Sequence, residues 1–269
     1  MAINVEPSGR RSMQVEFEVP GTPDEVWNAI GTAPGISAWF VPTTFEEQNG
    51  KPVALTIHFG PGIEPRSAVT AYDPPRMYAT QADGWMPGSP PIASEWTVEA
   101  KGGGVCVVRI VQSLFASSAD WDDQLEAAKG GFASFLEILR IYLTHFRGQA
   151  ATFMKWTGSG VGTEAEAWDT FTGALGLGTM AVGEKWSAPK GLPAMSGVVE
   201  YATRDPFDAL IRLDTPGGGV AALGIAGYPG GPVMVAMHVY MYGANGPATV
   251  AREEPRWAKW FEEKFPMTE

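Results

Sequence analysis

The sequence contains few residues of the types that build disulfides and metal sites. Cys106 is the single cysteine, and His58, His145 and His238 are the only histidines among 269 residues. One cysteine excludes a disulfide within the chain and fits a reducing compartment, so we expect a cytoplasmic protein. A metal site needs three or four converging ligands, and the sequence has no HxH, HExxH or CxxC spacing. We therefore predict neither a metal ion nor a cofactor.

Positive charge, phosphate loops and long apolar runs are also scarce. There are 19 Lys and Arg residues against 30 Asp and Glu, a net charge of -11, which disfavours nucleic acid as a partner. The glycine runs at 102–104 and 217–219 lack a following GK[ST] and predict hairpin turns. The first residues do not form a basic segment followed by an apolar one, so we expect no export signal. The apolar stretch 219–243 is interrupted by YPGGP, which favours a β-hairpin over membrane insertion.

The residues that are abundant predict a globular protein rich in short strands. Apolar residues make up 45% of the chain, which is enough for a sizeable core, and the length suits two domains. The 33 glycines and 22 prolines predict many turns.

The strongest helical periodicity lies in residues 118–146. Apolar residues recur there at steps of three and four, which predicts one long amphipathic helix. They are Trp121, Leu125, Ala128, Phe132, Leu136, Leu139, Leu143 and Phe146. Ser118 supplies an N-cap, and the Gly130–Gly131 pair predicts either a bend or a close approach of another backbone. Because a helix of this length needs a surface to pack on, we expect the upstream residues to provide it.

The upstream residues predict an antiparallel sheet. Residues 13–19 alternate as in a half-buried strand, and Thr22, Pro23 and Glu25 predict a capping box that opens a short helix. Tight turns typical of a meander join further predicted strands at 53–59, 66–72, 76–81, 93–100 and 105–114. The expected fold class is α+β, with a curved sheet wrapped around the long helix.

Several of these segments together resemble the START-like (SRPBCC) superfamily. They are TPDEVW at 22–27, WFVP at 39–42, YDPPR at 72–76, WTVE at 96–99 and the helix that contains LRIYL at 139–143. Within the superfamily, residues 11–147 are most similar to bacterial homologues of the C-terminal domain of heat-shock-protein-90 ATPase activators. The resemblance implies a helix-grip fold with a cavity between sheet and helix that often holds an apolar ligand. Residues 1–10 are predicted to form a loose tail.

Residues 151–269 are predicted to form a second, degenerate copy of this layout. The segment GTEAEAW at 162–168 repeats GTPDEVW at 21–27, and Thr163 with Glu166 predicts another capping box. Strands are predicted at 196–202, 209–214, 220–226 and 233–242, followed by a shortened final helix at 253–265. The alternative is a chance match within an unrelated α+β domain.

Aromatic side chains are the best candidates for ligand contacts. Between the sheet and the long helix they would line an apolar pocket with few polar groups. The candidate ligand-binding residues are Trp39, Phe40, His58, Trp85, Trp96, Arg109, Phe132, Phe135 and Leu136. Each aromatic residue also fits a plain core role, and His58 also fits an exposed or hydrogen-bonded position. Trp85 lies in a loop that is expected either to gate the cavity or to form an ordered turn.

The role of Arg109 depends on the register of one hairpin. If the turn is centred at residues 101–103, Glu95 lies directly across from Arg109 and the two form an exposed ion pair. If the register differs by one residue, Arg109 enters the cavity and binds an anionic group. Alternation alone leaves both arrangements open.

Three functions are compatible with the sequence. The preferred one is binding of a small hydrophobic or amphipathic molecule in the cavity. The alternatives are an enzyme similar to polyketide cyclases or hydrolases that uses the same cavity, and an interaction protein similar to chaperone ATPase activators, with a chaperone as the less favoured partner. No GxSxG elbow occurs and Cys106 is predicted to be buried and inert, so we assign no catalytic residue.

Overall fold

The computed structural model of the protein describes residues 4–5, 10–60, 62–84, 89–115, 133–178, 180–226 and 232–267. The chain divides into two compact units, Met1–Gly148 and Gln149–Glu269, called here the N-terminal and C-terminal units. Each unit consists of an antiparallel sheet with its own helices, so the predicted α+β class is confirmed.

The N-terminal unit contains an eight-stranded sheet. Its elements are β1 (Asn4–Val5), β2 (Arg11–Pro20), α1 (Pro23–Ile30), α2 (Ala33–Ser37), β3 (Thr43–Gln48), β4 (Lys51–Ile57), β5 (Arg66–Asp73), β6 (Met77–Ala82), β7 (Ile92–Gly102) and β8 (Val105–Leu114). The strand order β1-β2-β8-β7-β6-β5-β4-β3 confirms the predicted meander. The first long strand, β2, closes against the last, β8. The sheet therefore presents one continuous face for a helix to cover.

Helix α1 opens with the predicted capping box. Thr22 Oγ1 accepts a hydrogen bond from the backbone N–H of Glu25, and the Glu25 carboxylate accepts one from the backbone N–H of Thr22. This exchange satisfies two donors that a helix start otherwise leaves without a partner. Helix α1 ends at Ile30, and α2 begins at Ala33. The Trp39 indole then donates to the carbonyl of Ala29 at 2.9 Å, which ties the segment after α2 to α1.

The end of the predicted long helix is confirmed, and its first part, residues 118–132, lies outside the described residues. Residues 133–141 form α3 and continue as a π-helical turn, Tyr142–Phe146. Leu136, Leu139 and Leu143 are fully buried, as the periodicity predicts. The segment just past the turn is also fixed, because Arg147 pairs with Glu25 of α1 at 2.7 Å.

The C-terminal unit repeats the layout with a six-stranded sheet. Its elements are β9 (Ala151–Ser159), α4 (Glu164–Ala174), β10 (Lys185–Ser187), β11 (Ser196–Arg204), β12 (Phe207–Thr215), β13 (Gly219–Ala226), β14 (Met234–Tyr242) and α5 (Gly246–Lys264). The first strand, β9, again closes against the last, β14, and α4 opens with a second complete capping box. Strands β9 and β10 were not predicted, and α5 begins at Gly246 rather than at residue 253. The expected tandem arrangement is otherwise present.

The apolar stretch 219–243 is the predicted hairpin. Strands β13 and β14 pair along their whole length, from Gly219 with Met241 to Ala226 with Met234. The five residues between them that carry most of YPGGP lie outside the described residues. None of the described helices combines the length and the apolar character needed to cross a bilayer.

Aromatic rings fill the space between the sheet and α5 in the C-terminal unit. Trp257 of α5 is fully buried and lies 6.2 Å from the ring of Trp156 on β9 and 5.5 Å from Trp260. Phe261 stacks on Trp156 at 6.0 Å, and Phe171 of α4 also contacts Phe261, at 5.9 Å. This contact between helix and sheet is therefore a packed core.

Protonation of His238 is expected to destabilise the C-terminal unit as the pH falls below 6.5. His238 lies on β14 directly across from Lys155 of β9, with the ring of Phe153 at 5.6 Å. Burial, together with the charge of Lys155, lowers the pKa of His238 from 6.5 to about 4. The unfolded chain therefore binds this proton at a higher pH than the folded chain does. The contribution of neutral His238 to the stability of the folded unit is complete above pH 6.5. It is lost progressively as the pH falls towards 4.

Urea denaturation at about pH 7.5 and about pH 5 measures this effect. The free energy of unfolding should be lower at the acidic pH, and His238→Gln should reduce the difference. If the free energy of unfolding of the variant still differs by the same amount between the two pH values, other groups cause the acid sensitivity.

Candidate ligand-binding cavity

A cavity of about 300 Å³ lies against one face of the N-terminal sheet. Its walls come from strands β3 to β8, from the segment that contains α2 and from α3. The described residues that line it are Ile36, Trp39, Phe40, Thr43, Leu55, Ile57, Phe59, Pro65, Ser67, Tyr78, Thr80, Ala82, Gly84, Ile92, Ser94, Trp96, Gln112 and Phe135. Most of these side chains are apolar. The lining is therefore suited to a mainly apolar molecule.

Aromatic rings form the wall opposite the strands and part of the sheet surface. Phe40 meets Phe135 of α3 edge to face at 4.5 Å, and Phe59 at 5.9 Å. On the sheet, Tyr78 and Trp96 are directly paired across β6 and β7, with nearly parallel rings 6.0 Å apart. Trp39 connects the two groups of rings, because it lies 5.8 Å from Phe40 and 6.3 Å from Trp96. A flat ligand would find ring faces and edges on both sides.

One row of polar side chains crosses this surface. Thr80 on β6 is paired with Ser94 on β7, and Ser94 is paired with Gln112 on β8. Their neighbours on either side are the aromatic pair Tyr78 with Trp96 and the apolar pair Ala82 with Ile92. The cavity therefore has a polar line across a mainly apolar surface, and Thr43 and Ser67 add two hydroxyl groups elsewhere in the described lining.

Gln112 is the least satisfied member of this row. Its side-chain Nε2 lies 3.5 Å from Ser94 Oγ, at the outer limit of a hydrogen bond. Its Oε1 is buried and has no hydrogen-bond partner. A buried carbonyl oxygen without a donor costs about 1–3 kcal/mol, so a donor that reached this atom would recover much of that cost.

Tyr78 is the only ionisable residue among the described residues of the lining. Burial raises the pKa of Tyr78 well above its ordinary value of 10, so the phenol is neutral at physiological pH. It can donate a hydrogen bond but cannot serve as a base. Among the described residues, no group of three His, Cys, Asp or Glu side chains is placed to hold a metal ion.

Four of the candidate residues from the sequence meet in the cavity. Trp39, Phe40, Trp96 and Phe135 all line it. Leu136 is fully buried in the core beside them and is not part of the lining. Trp85 and Phe132 lie outside the described residues, as do residues 86–88 of the loop expected either to gate the cavity or to form an ordered turn. That these residues contact a ligand stays a prediction.

His58 does not line the cavity, contrary to one of the two predicted placements. Leu55, Ile57 and Phe59 line the cavity, so alternation places His58 on the opposite face. The imidazole instead bonds to Thr44 Oγ1 and to Glu64 Oε1, each at 3.0 Å. These bonds hold it in a partly exposed polar cluster, which is the second reading that the sequence allowed.

Arg109 also lies outside the cavity, and its predicted partner is wrong. In the hairpin of β7 and β8 it pairs with Thr97, while Glu95 pairs with Val111. Arg109 Nε donates to Thr97 Oγ1 at 3.4 Å, and the strand on its other side places Glu16 across from it. The buried face of β8 is formed by the alternate residues Val108 and Ile110. Arg109 therefore belongs to the opposite face of the sheet.

Sequence reasoning missed the polar row and Tyr78. Ser94 could have been placed by alternation, because it precedes Trp96 by two residues and so shares its face. Gln112 interrupts an otherwise apolar set of inward positions, Val108, Ile110 and Leu114, and that interruption is the signal. A polar residue at such a position indicates either a satisfied core group or a binding contact.

These features, an antiparallel sheet, a C-terminal helix across it and an aromatic cavity between them, define a helix-grip protein. Residues 10–143 match the family described as "Polyketide cyclase / dehydrase and lipid transport", which places them in the SRPBCC superfamily. The match ends close to the boundary of the N-terminal unit. No functionally curated protein matches this chain.

Solved structures with a similar arrangement have low sequence identity. The di-domain ARO/CYC BexL from the BE-7585A biosynthetic pathway is 13% identical, with 96% of this chain and 100% of that chain covered and a TM-score of 0.46. CalU16 from Micromonospora echinospora is 18% identical, with 53% and 83% covered and a TM-score of 0.41. The Aha1 dimer from Colwellia psychrerythraea is 20% identical, with 51% and 98% covered and a TM-score of 0.41.

Proposed function

We propose that the N-terminal unit binds a small, mainly apolar molecule that contains aromatic rings. The observation that carries the proposal is the 300 Å³ cavity lined by Trp39, Phe40, Trp96 and Phe135. An unfilled apolar pocket lacks the packing contacts that a filled core makes, so keeping it open reduces the stability of the unit. In the C-terminal unit, by contrast, the rings of Trp156, Trp257 and Phe261 contact one another between sheet and helix. A ligand that occupies the pocket would account for its being kept open in the N-terminal unit.

Burial supplies the affinity in this proposal. Removing about 200 Å² of apolar ligand surface from water contributes about 5 kcal/mol at 25 cal/mol per Å². Stacking on the rings of Tyr78 and Trp96 adds about 0.5–1.5 kcal/mol. The cavity is already formed, so little of this is spent on ordering the protein. Together these terms give about 5.5–6.5 kcal/mol, which corresponds to a dissociation constant of about 20–100 μM at best, before the translational and rotational cost of association is subtracted.

Titration with neutral fused-ring aromatic compounds tests the proposal. Trp39 and Trp96 line the cavity, so binding should quench intrinsic fluorescence. A ligand at about one hundred times its dissociation constant should stabilise the protein by about 2.7 kcal/mol, seen as a rise in melting temperature. If no compound of the series changes either signal, the proposal fails.

A second candidate function is ring-closing chemistry of the polyketide-cyclase type. The family match and the position of Tyr78 favour it, because a neutral phenol inside an apolar cavity can donate a hydrogen bond to a substrate carbonyl. Such a site would act mainly by holding a flexible chain in the folded shape that precedes ring closure. Loss of product formation in Tyr78→Phe with ligand affinity retained would distinguish this function from simple binding.

The closer relation of residues 11–147 to chaperone ATPase activators, and the cytoplasmic location, stay proposals. They rest on the sequence resemblance and on the single cysteine.

A further inference from the structure

Gln112 is the one described residue whose buried polar atom is left without a partner at the cavity wall. The residue is only 7% exposed, so water does not easily replace the missing donor. Its neighbour in the polar row, Ser94, does not supply the missing donor. The Ser94 hydroxyl lies 3.5 Å from Nε2, the other end of the same amide group. A glutamine at this position costs stability that an apolar residue would not. Ile110 and Leu114, on the same face of β8, are both apolar and buried.

The lining also restricts the charge of a guest. Among the described residues that line the cavity there is no Lys, Arg, His, Asp or Glu. Arg109, which could have neutralised a carboxylate, lies on the other face of the sheet beside Thr97. An anion transferred into such a lining would lose its hydration without gaining a counter-ion. Fatty acids and aromatic carboxylates are therefore poorly matched to the site.

We propose that Gln112 determines specificity and that the ligand is an uncharged aromatic compound whose hydroxyl group donates a hydrogen bond to Gln112 Oε1. The inference rests on the proposed binding function and adds the polarity and charge of the ligand. The hydroxyl satisfies the orphaned acceptor, while Ser94 and Thr80 continue the row for a second polar group. The rest of the ligand lies against the rings of Trp96 and Tyr78.

Three naphthalene probes of the same ring size test this inference: 2-naphthol, 2-methoxynaphthalene and 2-naphthoate. Wild-type protein should bind 2-naphthol about tenfold more tightly than the methyl ether, since only the phenol can donate to Oε1. It should bind 2-naphthoate at least about a hundredfold more weakly than the phenol, because the carboxylate is charged. In Gln112→Leu the phenol and the ether should bind with the same affinity. Gln14→Leu, which alters the exposed glutamine of β2, should preserve the wild-type order.

The two proposals fail in different ways. If none of the probes binds to wild-type protein, the cavity does not take ring compounds and the proposed function itself fails, and this inference with it. If the ether or the carboxylate binds as tightly as the phenol, or if Gln112→Leu keeps the preference for the phenol, the role of Gln112 is overturned while ring binding stands. Gln112→Leu removes a buried unsatisfied group, so a folded variant is expected, and its circular dichroism spectrum verifies this.

Discussion

Ala82→Phe is expected to reduce the affinity for ring compounds by about a hundredfold or more while raising the melting temperature. Ala82 lies on β6, is buried and lines the cavity, so a phenyl group at this position enters the space that the ligand would occupy. The new ring removes empty volume and adds contacts with its neighbours in the lining. Cavity-filling changes commonly add about 0.5–2 kcal/mol. Stability and binding should therefore change in opposite directions.

The matched control is Ala79→Phe on the same strand. Residues 78, 80 and 82 line the cavity, so position 79 belongs to the other face of β6. The control should leave the affinity within about threefold, as expected for a surface change that alters no ligand contact. Fluorescence titration measures the affinity, and thermal denaturation measures stability. If Ala82→Phe binds like the wild type, the ligand does not use this cavity.

The features that the sequence predicts well are those with a short-range cause. A capping box involves four consecutive residues, so Thr22 with Glu25 and Thr163 with Glu166 are both recognisable without a structure. Alternation likewise predicts β2, where Gln14, Glu16 and Glu18 are exposed between inward residues. Such patterns fix the kind of element and its inner face.

Register is harder, because it depends on turn geometry. Gly102, Gly103 and Gly104 all adopt positive φ, so the sequence offers several positions for the turn between β7 and β8. The structure pairs Gly102 with Val105 and has an irregularity between Ala100 and Gly102. The turn therefore lies one residue later than predicted. That moves the partner of Arg109 from Glu95 to Thr97 and removes the expected ion pair.

The cavity itself cannot be predicted from local sequence patterns. Its polar row joins three strands, and Thr80, Ser94 and Gln112 become neighbours only once two registers are fixed. Aromatic residues predict that rings lie between sheet and helix but not whether they fill the space. The two units illustrate this difference. Trp96 and Phe135 border a cavity, whereas Trp156 and Trp257 pack against each other. Side-chain volume at a few inward positions decides the outcome.

Removing the indole of Trp257 is expected to cause a large loss of stability. Trp257 is completely buried in the C-terminal unit, where it contacts Trp156 and Trp260. Replacement of such a side chain by alanine costs about 3–5 kcal/mol, because it removes apolar burial and leaves a void that the neighbours cannot fill. Chemical denaturation followed by circular dichroism measures the loss. Faster amide hydrogen exchange in β9 and β14, the strands that α5 contacts, should locate it in this unit.

Two further variants separate packing from other causes. The Trp257 indole nitrogen is buried without a hydrogen-bond partner, so Trp257→Phe keeps most of the ring contact, removes an unsatisfied donor and should cost much less than Trp257→Ala. Lys259→Ala changes an exposed residue of the same helix and should stay within about 0.5 kcal/mol of the wild type. Indole added to Trp257→Ala should occupy the new void and recover part of the lost stability. A cost below about 1 kcal/mol for Trp257→Ala would show that this unit is not tightly packed, and the contrast between a hollow and a filled unit would then be lost.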